Sequence, residues 1–289
     1  MSGAGQGAPV GAHAPRYAAH PIEIGSAYHT GLSPRELWAY RELTYFLVWR
    51  DIKVRYKQTV LGASWALVQA VLLVVVFTVV FGRVARVPTG GVPYPIMSLA
   101  GLVPWLLFSQ ALSGASTSLV DQANLISKVY FPRVLAPIAS ASSALVDHVI
   151  ALTLLLMLTP MFGLRFHLTA LVLPLLSIFV LVVALSVGVF LAALNVRYRD
   201  VRHAVPFLLQ VWLLISPVAY ATGSVPARWR WAYYLNPMAG TVDAYRWAIL
   251  GPETRTGPVL AISVLSTAIL FAVGIVYFRR VERTFADVI

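Results

Sequence analysis

The segment TALVLPLLSIFVLVVALSVGVFLAAL, residues 169–194, decides the fold class of this chain. It contains no Asp, Glu, Lys or Arg. A helix of about 20 mostly apolar residues is long enough to cross the hydrocarbon core of a bilayer. The segment therefore predicts a membrane-spanning helix.

The composition of the whole chain is that of a polytopic membrane protein. Hydrophobic residues make up 59% of the 289 residues, charged residues make up 11%, and the mean hydropathy is +0.77. A soluble globular protein is about half apolar and about a quarter charged. The composition therefore excludes a soluble particle, a disordered chain and a coiled coil. The chain has no cysteine, which also excludes a disulfide scaffold and a Cys-based metal site.

Five further segments have the apolar length of a span, so we predict an all-α membrane protein with six transmembrane helices. The second span contains Gly101, Pro104 and several Ser and Gln side chains, and the short fifth span has Pro217 near its end. Spans with these features more often pack against protein or line a polar path than face lipid on all sides. The six spans lie near residues 60–82, 96–118, 134–159, 169–194, 206–222 and 257–278.

The residues before the first span divide into two parts. Residues 1–32 are rich in Gly, Ala, Pro and His without an apolar period, which predicts a disordered cytoplasmic tail with no signal peptide. In residues 33–58, Ser33 can cap a helix that Pro34 begins, and apolar and basic residues are mixed. This segment is too charged to span a bilayer and predicts an amphipathic helix lying in the membrane interface.

The distribution of basic residues predicts the orientation. Near the ends of the spans, the side that receives residues 33–58 carries about twice as many Lys and Arg residues as the opposite side. Both termini are therefore predicted to be cytoplasmic. The net charge of +11 then reflects basic loops facing anionic lipid, and nucleic acid is not expected as a partner. No internal repeat is visible, which disfavours an inverted-repeat secondary transporter.

The connection between the fifth and sixth spans, residues 223–256, is long and rich in Trp and Tyr. From Asn236 onward, apolar residues recur at helical spacing. A half-apolar segment between two spans predicts short helices that dip into the outer leaflet.

The motifs of several enzyme classes are missing from the sequence. It lacks G-x-x-x-x-G-K-[ST], H-E-x-x-H and G-x-S-x-G, and it has no Cys/His cluster or acidic run that would hold a metal. We therefore predict no catalytic site, no metal site and no cofactor bound by this chain. Any active transport would draw its energy from a partner or from an ion gradient.

Four stretches carry a resemblance to a known family. They are RDIKVRYKQTVLGASWALVQ (50–69), KVYFPRVLAPIASASSALVD (128–147), NVRYRDVRHAVPFLLQVWLLISPVAY (195–220) and NPMAGTVDAYRWAIL (236–250). In this order they resemble the membrane subunit of polysaccharide ABC exporters, the ABC-2 type permeases that export O-antigen, teichoic acid and galactan. The resemblance runs from about residue 40 to the C-terminus. Ala70, where the family pattern has Pro, and His148, where it has an aromatic residue, depart from it.

The resemblance implies a half-transporter of the bacterial plasma (inner) membrane that moves a lipid-linked polysaccharide. Two copies of the chain would form the channel as a homodimer. Two copies of a separate ABC ATP-binding subunit, which holds ATP and Mg, would drive it from the cytoplasm. The ABC-2 domain would cover residues 47–282, with a cytoplasmic coupling helix at 119–133 and external gate helices at 223–256. The chain itself would not be an enzyme.

The resemblance also places candidate residues on the cytoplasmic side. An apolar ridge of the coupling helix would sit in a groove of the ATPase. The predicted coupling residues are Asp121, Leu125, Lys128, Val129 and Tyr130. Basic residues near the end of the interfacial helix would meet the pyrophosphate of a lipid-linked sugar, although anchoring to lipid headgroups accounts for them equally well. They are Arg50, Lys53, Arg55 and Lys57.

Aromatic and amide side chains on the polar or Pro-broken spans would hold a sugar chain while it slides. The substrate-path candidates are Trp105, Phe108, Gln110, Trp212 and Tyr220. The external gate candidates are Trp229, Trp231, Tyr233, Tyr234, Asn236 and Arg246. Since Trp and Tyr are enriched at both membrane surfaces in any membrane protein, interfacial anchoring is the alternative for the external aromatic residues.

Asp147 and His148, inside the third span, leave two interpretations open. An ionised carboxylate at mid-membrane costs about 2.5–3.5 kcal/mol, so it faces protein or water. We favour a structural group bonded to Ser or Thr side chains of a neighbouring helix; a proton-coupled carrier is the competing interpretation. A permease for a drug or lipid, a channel and a membrane glycosyltransferase are three more functions open to an apolar chain, and the acidic sugar-nucleotide motifs of the last are missing.

Overall fold

The computed structural model describes residues 34–57, 62, 64–129, 131–251, 257–282 and 285. Within these residues the regular structure is entirely helical, which confirms the predicted all-α class for the described part of the chain. The predicted tail, residues 1–32, lies outside the described residues.

Twelve α-helices follow one another along the described residues. They are α1 (Pro34–Ala39), α2 (Arg41–Tyr56), α3 (Ser64–Phe77), α4 (Tyr94–Asp121), α5 (Ala123–Ile126), α6 (Leu135–Ser143), α7 (Leu145–Met161), α8 (Leu173–Arg197), α9 (Val201–Ile215), α10 (Ala227–Tyr234), α11 (Pro237–Leu250) and α12 (Gly257–Glu282). A π-helical stretch continues α3, and 3₁₀ turns precede α8 and α10; they cover Thr78–Val84, Leu168–Val172 and Thr222–Ser224.

Five helical stretches are long and apolar enough to cross a membrane. They are Ser64–Val84, Tyr94–Asp121, Leu135–Met161, Leu168–Arg197 and Val259–Glu282. The predicted fifth span, 206–222, corresponds instead to α9, an apolar helix of 15 residues. α9 ends because Ser216 is extended, with φ −91° and ψ 150°. The residue before a proline, here Pro217, favours that conformation over the helical one.

α4 is the central helix of the described core. It is buried along most of its length and packs against α3, α6, α7, α8 and α11. At its contact with α8, a Cβ on Gly188 would lie 2.7 Å from the Cβ of Ala115. Small residues at such a crossing allow two helix backbones to approach closely. The buried hydroxyls of Ser116 and Ser118 donate to carbonyls of α4 itself, so these polar groups are paired inside the core.

Of residues 33–58, predicted as one interfacial helix, the structure describes 34–57, which contain α1 and α2 separated at Tyr40. α2 packs along α6, and Leu47 is buried against Phe131 and Leu135. α2 is therefore fixed by apolar contacts to the start of the third span.

The segment predicted as a coupling helix, residues 119–133, is helical only in part. α4 continues to Asp121, α5 adds a single short turn of helix, and non-helical turns follow. Pro132 cannot donate the backbone hydrogen bond that would extend a helix through this point. We refer to the connection between α4 and α6, residues 122–134, as the elbow.

The connection 223–256 contains the two predicted short helices, α10 and α11, which differ in burial. α10 exposes Trp229 and Trp231, whereas α11 packs against α4, α8 and α12 with Met238 and Tyr245 fully buried. α11 is therefore a core helix, although the sequence predicts a helix dipping into lipid. Its small residues, which include Ala239, Gly240, Ala244 and Ala248, allow this close packing.

Candidate functional site

Four helices meet at one guanidinium group, that of Arg55. Arg55 Nη1 donates to Asp147 Oδ2 at 2.8 Å, and the Tyr56 hydroxyl donates to Asp147 Oδ1. Arg55 Nη2 donates to the Ser143 hydroxyl at 3.1 Å, and Nη1 lies 3.5 Å from Gln110 Oε1. We call these five residues, contributed by α2, α4, α6 and α7, the Arg55 cluster.

The position of Asp147 along its helix explains why it requires a cation. At a rise of 1.5 Å per residue, Asp147 lies about 18 Å along the helix axis from Leu135, where the third span begins. An uncompensated carboxylate inside a span is costly. Because α2 runs along α6, its last turn carries Arg55 to the same level. Asp147 is thus bonded to an arginine and a tyrosine, where the sequence predicts Ser or Thr partners.

The Arg55 cluster is only partly closed. The side chain of Arg55 is 32% exposed and that of Asp147 is 13% exposed. Burial raises the pKa of Tyr56 well above its ordinary value, and the hydrogen bond to Asp147 acts in the same direction, so the phenol remains a donor. A cavity adjoins the cluster, and its polar lining is formed by Gln69, Gln110, Asp147 and His148.

His148 belongs to a separate, buried polar group. Its Nε2 lies 2.8 Å from the Ser177 hydroxyl, which lies 2.8 Å from the Tyr245 hydroxyl. These three side chains join α7, α8 and α11. The histidine that departs from the family pattern is therefore held by polar partners inside the helix core.

A second cluster is built on Arg246 of α11. Nη1 and Nη2 of Arg246 donate to the carbonyls of Tyr220 and Val218, each at 3.0 Å. The side chain of Arg246 is 6% exposed. The stretch that follows α9 is not helical, so its carbonyls lack intrahelical partners, and buried backbone groups must be paired. The guanidinium supplies those hydrogen bonds.

The surroundings of Arg246 complete this arrangement. Asp243 Oδ1 lies 3.9 Å from Arg246 Nη1, and the Asp243 carboxylate accepts from the Thr222 hydroxyl at 2.6 and 2.7 Å. Burial raises the pKa of Asp243, and Thr222 and Arg246 oppose that shift. The Tyr94 hydroxyl donates to the Ala219 carbonyl at 2.7 Å. We call Tyr94, the backbone of residues 218–220, Thr222, Asp243 and Arg246 the Arg246 cluster.

Gly101 of α4 makes room for the Arg246 cluster. A Cβ at this position would lie 3.0 Å from the Val218 carbonyl oxygen and 3.1 Å from Arg246 Nη2. Any larger residue would therefore push the guanidinium away from the carbonyl that it pairs.

Asn236 joins α9 to α11. Its side-chain oxygen accepts from the backbone N–H of Met238, which caps α11, and from Trp212 Nε1 at 2.9 Å. Its side-chain nitrogen donates to the Ser216 hydroxyl at 3.0 Å. The end of α9 is therefore held by side chains of the segment that follows it.

The substrate-path candidates lie in two different environments. Trp105 and Phe108 are buried, with 4% and 0% exposure, and the Phe108 ring contacts Trp212 edge-to-face at 5.0 Å. Neither buried ring presents a face that a sugar could reach in this conformation. Gln110 lies in the Arg55 cluster, and Tyr220 hydrogen-bonds to Tyr233 through its hydroxyl.

The four basic candidates at the end of α2 also differ in their contacts. Arg50 pairs with its neighbour Asp51 at 2.8 Å, and Lys53 lies over the ring of Trp49. Lys53 and Lys57 are exposed. Arg55 is the one of these four cations whose described hydrogen bonds reach α4, α6 and α7.

The coupling candidates lie in the elbow or just before it. Leu125 is partly buried against α2 and α6, whereas Asp121, Lys128 and Val129 are exposed. Tyr130 lies outside the described residues. Leu125 is therefore used within the chain, and the exposed face presents two charged side chains and the apolar Val129.

The external gate candidates also differ in exposure. Trp229 and Trp231 are exposed on α10, and Tyr233 and Tyr234 are partly buried. Burial raises the pKa of Tyr233, whose hydroxyl donates to Tyr220. Asn236 and Arg246, described above, hold the backbone around α9 and α11.

Several residues of the two clusters were not found from the sequence. Tyr94 and Thr222 lie outside the stretches that carry the family resemblance. Tyr56, Ser143 and Asp243 lie within those stretches but were not singled out as candidates. Asp147 did give a signal, as an acid in an apolar run, but Arg55 lies 92 residues away. Among the described residues, no group of three or more His, Asp or Glu side chains could hold a metal ion.

Comparisons with known proteins identify relatives that match most of the chain. Over 255 residues the chain is 29% identical to the O-antigen export system permease protein RfbA of Myxococcus xanthus, covering 86% of this chain and 96% of that protein. It is 23% identical to the protein of that name from Klebsiella pneumoniae, with coverages of 83% and 92%. It is 22% identical to the polysialic acid transport protein KpsM of Escherichia coli, with coverages of 81% and 91%.

The apolar helices and the bacterial transporter relatives indicate a multi-pass protein of the bacterial inner membrane. The profile of the ABC-2 type transporter family matches residues 42–250, which is more than half of the chain. That region includes both the Arg55 cluster and the Arg246 cluster. The chain therefore belongs to the ABC-2 type transporter family.

Proposed function

We propose that this chain is the permease subunit of an ATP-driven exporter that moves a lipid-linked polysaccharide across the bacterial plasma membrane. The observation that carries the proposal is the extent of the similarity. Three relatives named for O-antigen export or polysialic acid transport match over more than nine-tenths of their own length. The polymer is of the O-antigen, teichoic acid or galactan type.

The working unit in this proposal contains two copies of the chain and two copies of an ABC ATP-binding subunit, which binds ATP and Mg. α9 with the non-helical stretch after it forms the fifth of six spans, and both termini are cytoplasmic. α9 supports a paired arrangement, since Phe207 and Leu214 are 65% and 67% exposed in the single chain. A second copy offers a surface for such side chains.

Coupling in this proposal takes place at the elbow. The exposed face that contains Asp121, Lys128 and Val129 receives the ATP-binding subunit. Leu125 and Ile126 pack on the cluster formed by α2 and α6, so a push on the elbow moves α2 and the third span together. ATP closure of the partner subunits thereby drives a rigid-body motion of the spans.

The sugar chain in this proposal contacts partly exposed side chains rather than buried rings. Gln110, Trp212 and Tyr220 retain some exposure and provide amide, indole and phenol groups. The Phe108 ring contacts Trp212, and the Trp105 ring contacts Phe108 with centroids 5.4 Å apart, so the two buried rings pack behind Trp212. Aromatic faces suit the C–H side of a sugar, and polar neighbours bond its hydroxyls.

The decisive experiment purifies the tagged chain in mild detergent and identifies what accompanies it. We expect a stoichiometric ATP-binding subunit, whose ATPase activity falls in the variant Lys128→Glu and is unchanged in Arg228→Glu, an exposed charge on α10. Cells without the chain should lose a surface polysaccharide. Isolation of the chain alone after repeated mild extraction would contradict the proposal.

The same cells discriminate against competing functions. A permease for a drug or lipid predicts normal surface polysaccharide and altered sensitivity to small molecules. A proton-coupled carrier predicts that export stops when the proton gradient collapses and continues when the partner ATPase is inactive. The proposed polysaccharide exporter predicts loss of surface polysaccharide. It also predicts export that continues when the proton gradient collapses and stops when the partner ATPase is inactive.

A further inference from the structure

We propose that Arg133 is a positioning residue that joins the elbow to the end of α12, so that a movement of the elbow also moves α12 and the helix α11 that packs on it. This inference rests on the proposed function, because it concerns how the ATP-binding subunit acts on the spans. It adds the last span to the helices that the elbow moves.

Arg133 makes two contacts with the end of the last span. Its Nη1 donates to the backbone carbonyl of Glu282, the last residue of α12. Its guanidinium carbon lies 5.7 Å from the centre of the Phe285 ring, which is a cation–π contact. The last carbonyls of a helix have no partner within the helix, and a cation beside them interacts favourably with the helix dipole. Arg133 therefore caps α12 from a distant part of the chain.

Apolar packing holds the same junction together. Phe278 and Phe285 are fully buried and meet edge-to-face, with ring centroids 5.5 Å apart. They belong to one apolar cluster with Val134 of the elbow. Ring contacts and a buried cluster fix the elbow to α12 more firmly than a single hydrogen bond does. We call Arg133, Val134, Phe278, Glu282 and Phe285 the α12 joint.

The elbow lies between two apolar clusters. On one side Leu125 packs on the cluster that contains Leu47 of α2. On the other side Val134 packs with Phe278 of α12. Because protein interiors are close-packed, such side chains transmit a displacement rather than absorb it. A push on the elbow therefore acts on α2 and on α12 at the same time.

α12 continues the connection to α11. A Cβ on Gly240 of α11 would lie 2.8 Å from the carbonyl oxygen of Val259, so the two helices are in close contact there. From Val259 to Glu282, α12 extends about 35 Å at a rise of 1.5 Å per residue. A rigid helix can carry coupling over such a distance. α12 thus links the elbow to the helix that carries Arg246.

A purely structural role for Arg133 predicts a different outcome. If Arg133 only stabilised the end of α12, its loss would lower the yield of folded complex, the ATPase activity and export by the same factor. If the α12 joint transmits movement, ATP hydrolysis continues while export is lost, because the ATP-binding subunit still docks on the exposed face of the elbow.

The test uses the full chain in complex with its ATP-binding subunit. It measures the yield of purified complex, its ATPase activity and the surface polysaccharide of the cells. For Arg133→Gln we expect surface polysaccharide to fall at least fivefold, with yield and ATPase activity within twofold of the wild type. The matched control Arg280→Gln removes an equal but exposed charge from the end of α12 and should leave all three quantities unchanged.

Arg133→Lys tests the contacts of the cation directly. A lysine keeps a positive charge that can donate to the Glu282 carbonyl and lie over the Phe285 ring, so it should recover at least half of the lost export. Export no better than that of Arg133→Gln would overturn the proposal. Normal export by Arg133→Gln, or equal losses of yield, ATPase activity and export, would overturn it too.

Phe285→Leu is an independent variant on the other side of the α12 joint. Leucine keeps an apolar side chain in the cluster but removes the ring beneath the guanidinium. We expect export to fall at least threefold, with yield and ATPase activity within twofold of the wild type. The control Phe271→Leu, at a ring of α12 that is 39% exposed, should export normally. Equal export by the two leucine variants would contradict the proposal.

These outcomes are separate from a failure of the proposed function. The proposed function fails if no ATP-binding subunit accompanies the chain, or if surface polysaccharide is normal without the chain. The α12 joint fails if both of those results are as expected and Arg133→Gln still exports normally.

Discussion

Arg55 and Arg246 each lie beside an aspartate among the helices, but their surroundings differ. The aspartate of Arg55 is 92 residues away on another helix, at 2.8 Å, and the pair is partly exposed. The aspartate of Arg246 is three residues away on the same helix, at 3.9 Å, and the side chain of Arg246 is 6% exposed against 32% for Arg55, while the two aspartates are similarly exposed.

The guanidinium N–H groups of the two arginines also donate to different kinds of acceptor. Arg246 gives its N–H groups to backbone carbonyls of a non-helical stretch, which would otherwise be unpaired inside the protein. Arg55 gives them to side chains, which can move to other partners. One cluster therefore braces the fold, and the other has the chemistry of an exchangeable contact.

The largest expected effect is that of Arg246→Leu. It leaves the carbonyls of Val218 and Tyr220 unpaired and removes the cation beside Asp243, so we expect a loss of about 3–5 kcal/mol in unfolding free energy. Fluorescence-detected size-exclusion chromatography should show little monodisperse protein. The control Arg228→Leu, on the exposed face of α10, should elute normally. A monodisperse Arg246→Leu protein would show that the Arg246 cluster is not needed for stability.

Gly101→Val tests whether the Arg246 cluster requires the space that Gly101 leaves free. Its Cβ would press on the Val218 carbonyl and on Arg246 Nη2, so we expect a cost of about 1–3 kcal/mol, with Gly101→Ala less affected. Thermal unfolding in detergent measures the difference. Gly223→Val is the matched control, since a Cβ at Gly223 meets nothing within 4 Å. Equal melting temperatures for the two valine variants would contradict the packing argument.

Asn236→Ala removes the cap of α11 and the acceptor of Trp212 Nε1. We expect a loss of about 1 kcal/mol from the cap alone, seen as a lower melting temperature. Asn236→Ser keeps a capping oxygen and should recover part of the stability. If the serine variant were no better than the alanine variant, the hydrogen bond to Trp212 would be the dominant contribution.

Arg55→Gln should have a smaller effect on stability than Arg246→Leu and a large effect on transport. It leaves the Asp147 carboxylate inside a span without a cation, but the pair is partly exposed and Tyr56 still donates to Asp147, so we expect a loss of about 1–3 kcal/mol. Surface polysaccharide should nevertheless fall several-fold, whereas Arg228→Gln, at an exposed arginine of α10, should leave it unchanged. A stability loss as large as that of Arg246→Leu would show that the Arg55 cluster, like the Arg246 cluster, serves mainly to stabilise the fold.

The sequence predicts the positions of the helices more reliably than it predicts which side chains are buried and which contact each other. The apolar segments and the two helices after α9 are local features, because span length and helical spacing depend on consecutive residues. The fifth span is predicted at 206–222, whereas the helix covers Val201–Ile215. Pro217 lies near the end of the predicted span, and its restriction of Ser216 ends the helix earlier than the apolar pattern does.

The candidate site is predicted only in part, for a physical reason. Gln110 and Arg55 are both candidates, but for separate tasks, and nothing in the sequence indicates that they meet. Trp105 and Phe108 are predicted as accessible rings, and burial by neighbouring helices hides them. Aromatic side chains on a polar helix suit a core and a sugar path equally well.

The sequence by itself determined that this chain is an all-helical membrane protein of the ABC-2 type with basic residues on α2 and a single acid in its third span. These properties depend on composition and on residues close together in the chain. Only the tertiary structure decided which arginine compensates Asp147 and which one pairs the carbonyls after α9. Such pairings depend on how helices pack, and packing brings together residues whose separation in sequence carries no signal of their contact.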